Sequence, residues 1–319
     1  MRKILEVSDL WIKYYTLSGI VHAVSGVSFQ LRKGEMIAVV GESGSGKSTL
    51  GYALLNMVPK PGRVVRGQVL LDGLDLLRLS NEEIRKIRGS RVSMIFQDPF
   101  TTLDPLRKVG SQFEEFLLEH GVDQAKARSM IKEVLLAVGL PERTVDLYPH
   151  QLSGGQKQRV SIAMAVALNP DVVVADEPTT ALDVIVQRQI MDLIDDIRKR
   201  AGTSVVLITH DLALALERAD TVMVMYGGHV MELAEKDELV SNMVHPYTRA
   251  LFESLPRISQ RKIPKSLPGY PPDLRNPPSG CVFHPRCKYA REKCKLSTPL
   301  LREVKRGHFV ACHLLGDSE

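Results

Sequence analysis

Two glycine-containing stretches carry residue types that can bind phosphate. Residues 41–49 are GESGSGKST and residues 152–156 are LSGGQ. The first stretch fits G-x-x-x-x-G-K-[ST] between an apolar run and an apolar helical pattern, a context in which backbone N–H groups surround phosphates. This pattern predicts that Lys47 reaches the β and γ phosphates of ATP and that Ser48 binds Mg²⁺. A single ATP needs only one such loop, so the second stretch requires another explanation.

The loop residues predicted to bind ATP come from one short stretch of the chain. All of them lie within residues 41–49, with Glu42 and Ser45 left out: Gly41, Ser43, Gly44, Gly46, Lys47, Ser48 and Thr49. The alternative, a glycine-rich turn formed by chance, is disfavoured by the strand pattern before the loop and the helix pattern after it.

Two acidic residues end a second apolar run, VVVADE, at residues 172–177. A strand that ends in Asp176 would place a carboxylate beside the Mg²⁺ of the phosphate loop. Glu177 is then the candidate base for the attacking water. Glu177 could alternatively be a solvated carboxylate at a strand end.

The elements that must position these residues indicate an α/β fold. The apolar, β-branched runs at 36–40, 172–177 and 205–210 predict central strands of a mostly parallel sheet, buried on both faces. Helical spacing follows Asp183 and ends at Gly202, which is predicted to cap the helix. Residues 221–234 predict a hairpin that turns at two glycines, Gly227 and Gly228.

Composition divides the chain into two predicted domains. Residues 1–255 would form the nucleotide-binding domain, with an inserted helical subdomain at about 101–168. Residues 256–299 hold 9 of the 18 prolines, and residues 256–319 are predicted to be a Pro-rich linker and a small, irregular, Cys-rich domain.

Charge and hydropathy exclude several classes of protein. No apolar run is long enough to span a bilayer, and the N-terminus lacks a signal-peptide pattern, so we expect a cytosolic or peripheral chain. Residues 257–319 carry 13 Lys and Arg against 5 Asp and Glu, whereas residues 1–256 carry 29 against 32. The larger region is therefore not basic, which argues against a duplex-binding surface there.

When the LSGGQ motif is considered together with the phosphate loop and the VVVADE run, the chain resembles the ATP-binding cassette family over nearly all of residues 1–250. The resemblance implies a P-loop NTPase core with an antiparallel β subdomain. It also implies that Ser153, Gly154, Gly155 and Gln156 contact the γ-phosphate of a nucleotide held by another subunit, so that two chains enclose two nucleotides. An ordinary capped helix start is the alternative explanation of these residues.

Further positions match the family one at a time. Gln97 in IFQDP resembles the loop glutamine that senses Mg²⁺ and water, although it could be merely a polar loop residue. His210 resembles the switch histidine at the γ-phosphate, and Asp183 resembles the loop that crosses the dimer interface or is only a helix N-cap. Tyr14 is predicted to stack on adenine, with Tyr15 as its rival and a core aromatic as the alternative.

The tail, residues 256–319, indicates which branch of the ATP-binding cassette family the chain resembles. Its pattern is Cys281-x5-Cys287-x6-Cys294-x17-Cys312, and four thiolates suit a 4Fe-4S cluster or a tetrahedral zinc ion. The tail resembles the C-terminal region of dipeptide and oligopeptide importer ATPases, and this resemblance favours the cluster. Three histidines could replace a thiolate, and four buried reduced cysteines remain the structural alternative. These histidines are His284, His308 and His313.

These observations predict the ATP-hydrolysing subunit of a peptide-type importer, peripheral to the cytoplasmic side of the membrane. Its predicted magnesium ligands are Ser48, Gln97 and Asp176. The resemblance implies a second ATPase subunit, two membrane permease subunits and an extracytoplasmic solute-binding protein.

Import of an oligosaccharide or a metal is an alternative to this function. A cassette ATPase acting on nucleic acid is another, but only 103 residues separate Ser48 from Leu152, which leaves no room for a long coiled coil. We expect no nucleic-acid partner.

Overall fold

The computed structural model of the chain describes most of the sequence. The described residues are 2–98, 102–255 and 267–315. Residues 256–266, the start of the predicted Pro-rich linker and Cys-rich domain, therefore lie outside the described residues. So do residue 101, where the helical subdomain was predicted to begin, and residues 316–319.

Twelve strands lie within the described ranges. They are Lys3–Thr16 (β1), Gly19–Arg32 (β2), Met36–Val40 (β3), Gly62–Leu71 (β4), Leu74–Asp75 (β5), Val92–Ile95 (β6), Val172–Asp176 (β7), Ser204–Thr209 (β8), Thr221–Tyr226 (β9), His229–Glu235 (β10), Arg302–Lys305 (β11) and His308–Val310 (β12).

The α-helices of the described ranges are mostly short. They are Lys47–Leu54 (α1), Asn81–Ile87 (α2), Val109–Glu119 (α3), Gln124–Ala137 (α4), Gly154–Val166 (α5), Val184–Ala201 (α6), Leu212–Arg218 (α7), Lys236–Ser241 (α8), Pro246–Glu253 (α9) and Glu292–Leu296 (α10). Short 3₁₀ turns lie at Leu76–Arg78, Glu142–Asp146, Pro149–Gln151, His284–Arg286 and His313–Leu315.

The chain divides into two compact units. The first unit comprises residues 78–206 together with 1–4 and 32–34, and the second comprises residues 5–31, 35–77 and 207–319. The boundary at 206/207 falls inside β8, so this strand contributes residues to both units.

The first unit combines two parallel strands with a group of helices. Strand β6 pairs with β7 in parallel, with Val92 opposite Val172 and Ile95 opposite Ala175. Every residue of both strands is buried, as the apolar run at 172–176 predicts. Helices α3 and α4 pack on each other, and each buries an apolar stripe. Helix α6 has three basic residues in its last turn and is capped by Gly202, with φ 67°.

The second unit contains an antiparallel sheet of order β2-β1-β4-β5 and the strand order β11-β12-β10-β9-β3. Strand β3 pairs with β9 in parallel, and all five residues of β3 are buried. Strands β9 and β10 form the predicted hairpin, whose turn residues Gly227 and Gly228 both have positive φ. The predicted α/β class with mostly parallel central strands and an antiparallel subdomain is therefore confirmed.

Strands β11 and β12 lie in the Cys-rich tail and were not predicted. Strand β12 pairs with β10, with Glu232 opposite Val310, so the tail extends this sheet rather than being wholly irregular. The sequence carries little signal for them because β12 has three residues and all four residues of β11 are exposed.

Among the described residues, no helix combines the length and the apolar character needed to cross a bilayer.

Candidate functional site

Residues 41–46 of the phosphate loop lie between strand β3 and helix α1, and Lys47, Ser48 and Thr49 are the first residues of α1, as predicted. A Cβ atom added at Gly41 would lie 2.1 Å from the Met225 carbonyl oxygen, and one at Gly46 would lie 2.2 Å from that of Ala23. Both glycines also have φ in the left-handed range, 154° and 97°. The loop therefore runs so close to neighbouring backbone that only glycine fits at these two positions.

Lys47 is held over the loop by the loop's own oxygens. Its side-chain nitrogen donates to the carbonyls of Gly41 at 2.8 Å and Glu42 at 3.0 Å, and lies 3.5 Å from Ser45 Oγ. Only 6% of Lys47 is exposed. The N-cap of α1 is Gly46, and no acidic residue lies in its first turn. A buried ammonium group and an uncapped helix N-terminus together favour an anion at the loop.

The two candidate adenine-stacking tyrosines have different surroundings. The Tyr14 hydroxyl lies 3.3 Å from Thr49 Oγ1 in helix α1. Tyr15 is 45% exposed and carries the Arg63 guanidinium 5.7 Å from its ring centroid. Tyr14 is thus the one in contact with the phosphate-loop helix, and its stacking role stays a prediction.

A second group of predicted residues meets in the first unit, where β6 and β7 end. Asp176 is the last residue of β7 and is 1% exposed. The next residue, Glu177, has φ 45°, and its Oε2 accepts hydrogen bonds from Gln97 Nε2 at 3.1 Å and Thr180 Oγ1 at 2.9 Å. Because neighbouring parallel strands end at one edge, Gln97 and Glu177 come together although 80 residues separate them. Thr180, three residues after Glu177, was missed from the sequence.

The LSGGQ stretch forms the start of helix α5. Ser153 Oγ accepts from the Gln156 backbone N–H at 3.3 Å, and Gln156 Oε1 accepts from the Ser153 backbone N–H at 2.9 Å. A Cβ atom added at Gly155 would lie 2.8 Å from Val186 Cγ1 of α6. The ordinary capping box, kept as an alternative, therefore describes this isolated chain. A role in contacting a second chain's phosphate stays a prediction.

Asp183 likewise acts as the N-cap of α6. Its Oδ1 accepts from the backbone N–H groups of Ile185 at 3.1 Å and Val186 at 3.0 Å. The first two residues of the helix, Val184 and Ile185, are 79% and 72% exposed. Asp183 therefore caps the helix in this structure, and its role at a dimer interface stays a prediction.

The predicted residues are divided between the two units. The first unit holds Gln97, Ser153, Gly154, Gly155, Gln156, Asp176, Glu177 and Asp183. The second holds Tyr14, Gly41, Ser43, Gly44, Gly46, Lys47, Ser48, Thr49 and His210, together with the four cysteines. His210 is exposed and lies between the end of β8 and Asp211, which caps α7 by accepting from the Leu214 backbone N–H at 3.1 Å.

The four cysteines of the tail lie close enough to affect one another's ionisation. Burial, and secondarily the charges of Cys312, Cys294 and Cys287, raise the pKa of Cys281 to about 11. The backbone N–H of Cys281 also donates to the Cys294 carbonyl at 2.8 Å. The spacing pattern therefore does bring the thiols into one small region.

This region does not show the predicted metal centre. Within residues 2–98, 102–255 and 267–315, no group of three or more His, Cys, Asp or Glu residues is arranged to hold a metal ion. The three histidines considered as substitute ligands bond elsewhere: His284 to the Cys281 carbonyl, His308 to Glu232 and His313 to the Ser297 carbonyl. The prediction of a 4Fe-4S cluster or a zinc ion is therefore not confirmed by the described residues.

One contact joins the tail to the phosphate loop and was not predicted. The Arg286 guanidinium donates to both carboxylate oxygens of Glu42, at 2.6 and 3.0 Å. The two residues are 244 positions apart, and no local pattern in the sequence relates them.

Comparison with known proteins identifies the family. Residues 24–180 match the family model of the ABC transporter, and residues 231–294 match that of the oligopeptide/dipeptide transporter C-terminal region. The oligopeptide transport ATP-binding protein OppD of Bacillus subtilis is 44% identical over 98% of this chain and 89% of the relative. The chain belongs to the ABC transporter family. The dipeptide transport ATP-binding protein DppD of Escherichia coli K12 is 41% identical over 97% of this chain and 96% of the relative.

Solved ABC cassettes share the fold. The dimeric post-hydrolysis structure of the cassette MJ0796 with bound ADP and Pi matches with TM-score 0.65 and 30% identity, over 73% of this chain and 98% of that one. The cbiO1 protein of Clostridium perfringens, part of the cbiONQ complex, matches with TM-score 0.65 and 28% identity, over 76% and 92%. The predictions of an ABC ATPase and of an ABC importer's ATP-binding subunit are therefore confirmed.

Proposed function

We propose that this ABC ATPase drives the import of dipeptides or oligopeptides through separate membrane subunits. The observation that carries the proposal is the likeness to oligopeptide and dipeptide transport ATP-binding proteins along nearly the whole chain, including the C-terminal region. The cassette alone would serve many solutes, whereas the C-terminal match favours peptides over oligosaccharides or metals.

The proposed partners are a second ATPase subunit, two permease subunits and an extracytoplasmic solute-binding protein, with this chain on the cytoplasmic side of the membrane. Support comes from the exposed Ser153 at the N-terminus of α5, where an anion supplied by another chain would meet a positive helix end. The related cassette MJ0796 is described as dimeric.

In the proposed site, Lys47 neutralises phosphate charge and the loop amides orient the nucleotide. Ser48, Gln97 and Asp176 offer hydroxyl, carboxamide and carboxylate oxygens, a donor set that suits Mg²⁺. The ion would supply charge neutralisation at the phosphates when bound.

Glu177 is the proposed base that takes a proton from the attacking water. The hydrogen bonds from Gln97 and Thr180 to its Oε2 fix the orientation of the carboxylate. The left-handed backbone at Glu177 stores strain, which is common where a side chain is held for chemistry. His210 is proposed to contact the γ-phosphate, and Asp183 to lie at the interface with the second cassette.

We further propose a metal centre at the four cysteines. A 4Fe-4S cluster is the preferred group, and a zinc ion is the alternative. The support is the donor chemistry. Backbone N–H groups of Arg291 and Leu314 donate to the sulfurs of Cys294 and Cys312, each at 3.5 Å, and hydrogen bonds to sulfur stabilise thiolates. A bound cation would also offset the mutual repulsion of ionised thiols.

Metal analysis of the chain purified without oxygen tests this centre. About four irons and four sulfides per chain would support the cluster. Stoichiometric zinc without sulfide would replace it by a structural zinc ion. Neither metal in a folded, ATP-binding chain would overturn the proposal.

The transport function is tested with the chain assembled with its cognate membrane and binding subunits in proteoliposomes. ATP hydrolysis should rise when a mixture of di- and tripeptides is supplied with the binding protein, and labelled peptide should accumulate on the side opposite to the binding protein. Stimulation by oligosaccharides or metals alone would replace the peptide assignment. Stimulation by duplex DNA that salt suppresses would contradict transport.

A further inference from the structure

We propose that Arg286 is a positioning residue of the nucleotide site: it neutralises Glu42 and fixes the phosphate loop, so that the C-terminal region sets the affinity for ATP. The proposal rests on the proposed function in one respect, the binding of ATP at Lys47. It adds a residue outside the nucleotide motifs, in the tail, and assigns the tail a role in nucleotide binding.

The contact between the two side chains is bidentate. Arg286 Nη1 donates to Glu42 Oε2 at 2.6 Å, and Nη2 donates to Oε1 at 3.0 Å. The Arg286 side chain is 6% exposed and that of Glu42 is 25% exposed. A two-point pair with so little solvent access is stronger and more directional than an exposed ion pair.

The guanidinium is itself held in place by the surrounding residues. Its Nε donates to the Pro268 carbonyl at 2.8 Å, and Nη1 also donates to the Tyr226 hydroxyl at 3.1 Å. Burial opposes the positive charge, but the hydrogen bonds with Glu42 and Tyr226 outweigh it and raise the pKa of Arg286. Arg286 is therefore a fixed cation with little freedom to leave Glu42.

Glu42 connects this cation to the phosphate-binding lysine. Its carbonyl accepts from Lys47 Nζ at 3.0 Å, and its backbone N–H donates to the Tyr247 hydroxyl at 3.0 Å. The Tyr247 ring packs on Tyr226, with ring centroids 4.6 Å apart. The carboxylate, the carbonyl and the N–H of one loop residue are thus each held by a partner.

The Arg286–Glu42 pair affects ATP binding through its charge. Glu42 lies in a loop that binds a polyanion, and a carboxylate there repels phosphate unless a cation offsets it. A small cavity at the loop is lined by Glu42, Ser43 and Gly44 and by Pro272 and Leu274 of the tail. The tail therefore contributes both the compensating charge and part of the wall beside the loop.

A double-mutant cycle on the full chain tests the proposal, with equilibrium binding of a fluorescent ATP analogue as the measurement. Arg286→Gln should weaken binding about tenfold because it uncovers the Glu42 carboxylate. In a Glu42→Gln background, Arg286→Gln should cause a much smaller loss of ATP binding, because no carboxylate remains to be uncovered. Equal loss in both backgrounds, or no loss in either, would overturn the proposal.

Kinetics distinguish positioning from general damage. With Arg286→Gln, the KM for ATP should rise while hydrolysis at saturating ATP stays close to that of the wild type. A fall in kcat at unchanged KM would contradict the assignment. Arg286→Lys keeps the charge without the two-point geometry, so its affinity should lie between those of the wild type and Arg286→Gln.

Arg275 provides a matched control. It also lies in the tail and pairs with Asp273, with Nη2 2.7 Å from Oδ2, but its side chain is 46% exposed. Arg275→Gln should leave ATP binding unchanged. A loss equal to that of Arg286→Gln would show that any disturbance of the tail suffices. Lys47→Ala separates the two proposals, because retained ATP binding in that variant would contradict the proposed site rather than the role of Arg286.

Discussion

The phosphate loop and the start of helix α5 both place backbone N–H groups at a helix N-terminus, yet they differ in what holds them. At the loop, added Cβ atoms at Gly41 and Gly46 would come within 2.2 Å of backbone oxygens, and Lys47 is 6% exposed. At α5, Ser153 is exposed and takes part in a capping box with Gln156. The loop is rigidly shaped, whereas the α5 start is a complete helix cap without any ligand.

The difference between the phosphate loop and the start of α5 indicates two ways in which a protein can form an anion-binding site. A loop built to enclose phosphate needs backbone that only glycine allows, and it needs neighbours to support it. A helix cap needs neither, because its hydroxyl can exchange the bond to its own backbone for a bond to phosphate. Substitutions in the loop should therefore have larger effects than substitutions at the cap.

The largest effect is expected from Gly46→Ala. The added Cβ atom would collide with the Ala23 carbonyl, so isothermal titration should show ATP binding weakened by more than about 100-fold. Gly44→Ala is the matched control in the same loop, since its Cβ atom would meet nothing within 4 Å and only its φ of 76° opposes the change. Equal losses in the two variants would contradict a loop shaped by close backbone approach.

Glu177→Gln should lower the hydrolysis rate by about 100-fold or more, because the attacking water would lose the base proposed for it. ATP binding should remain, and the ATP-bound chain should accumulate as a dimer in size-exclusion chromatography. Thr180→Val removes only one of the hydrogen bonds to Glu177 and should slow hydrolysis by a few-fold. Normal hydrolysis by a monomeric Glu177→Gln chain would show that the catalytic assignment is wrong.

Acid should destabilise the region that supports the loop. Burial lowers the pKa of His245 from 6.5 to about 3, and its Nδ1 accepts from the backbone N–H of Tyr247, whose hydroxyl contacts Glu42. Between these two pH values the unfolded chain binds the proton and the folded chain does not, so the free energy of unfolding falls as pH falls.

From pH 6.5 to 5.5 this effect should cost about 1 kcal/mol in urea unfolding. His245→Asn retains a good N-cap for α9 and removes the titration. The variant should therefore lose less stability than the wild type over that interval. An equally steep decline would mean that other groups are responsible.

The smallest effect is expected at the cap. Ser153→Ala and Ser80→Ala each remove a capping-box hydroxyl with a 3.3 Å bond, to Gln156 and Glu83 respectively. Each should lose about 1 kcal/mol of stability in chemical unfolding. Only Ser153→Ala should also slow ATP hydrolysis, and equal hydrolysis by the two variants would remove Ser153 from the site.

The sequence predicts best where a function depends on local pattern. The phosphate loop, the buried strands ending at Val40 and Asp176, and the caps at Ser153 and Asp183 all follow from adjacent residues, because strand burial and capping are set within a few positions. The meeting of Gln97 with Glu177 follows once both strands are recognised.

Contacts set by distant residues could not be predicted in this way. The Arg286–Glu42 pair joins residues 244 positions apart, and strands β11 and β12 are too short to show a period. The cysteine spacing predicts a cluster of thiols, but spacing alone does not fix whether the sulfurs converge on a metal.

The central claim is that one catalytic site takes Lys47 from one chain and Ser153 from another, and complementation tests it most directly. Lys47→Ala and Ser153→Arg chains are each assayed for ATP hydrolysis and are then mixed. The mixture should hydrolyse ATP well above the sum of the separate variants, because a mixed pair contains one intact site. Activity no greater than that sum, with mixed pairs demonstrated by cross-linking, would contradict the account.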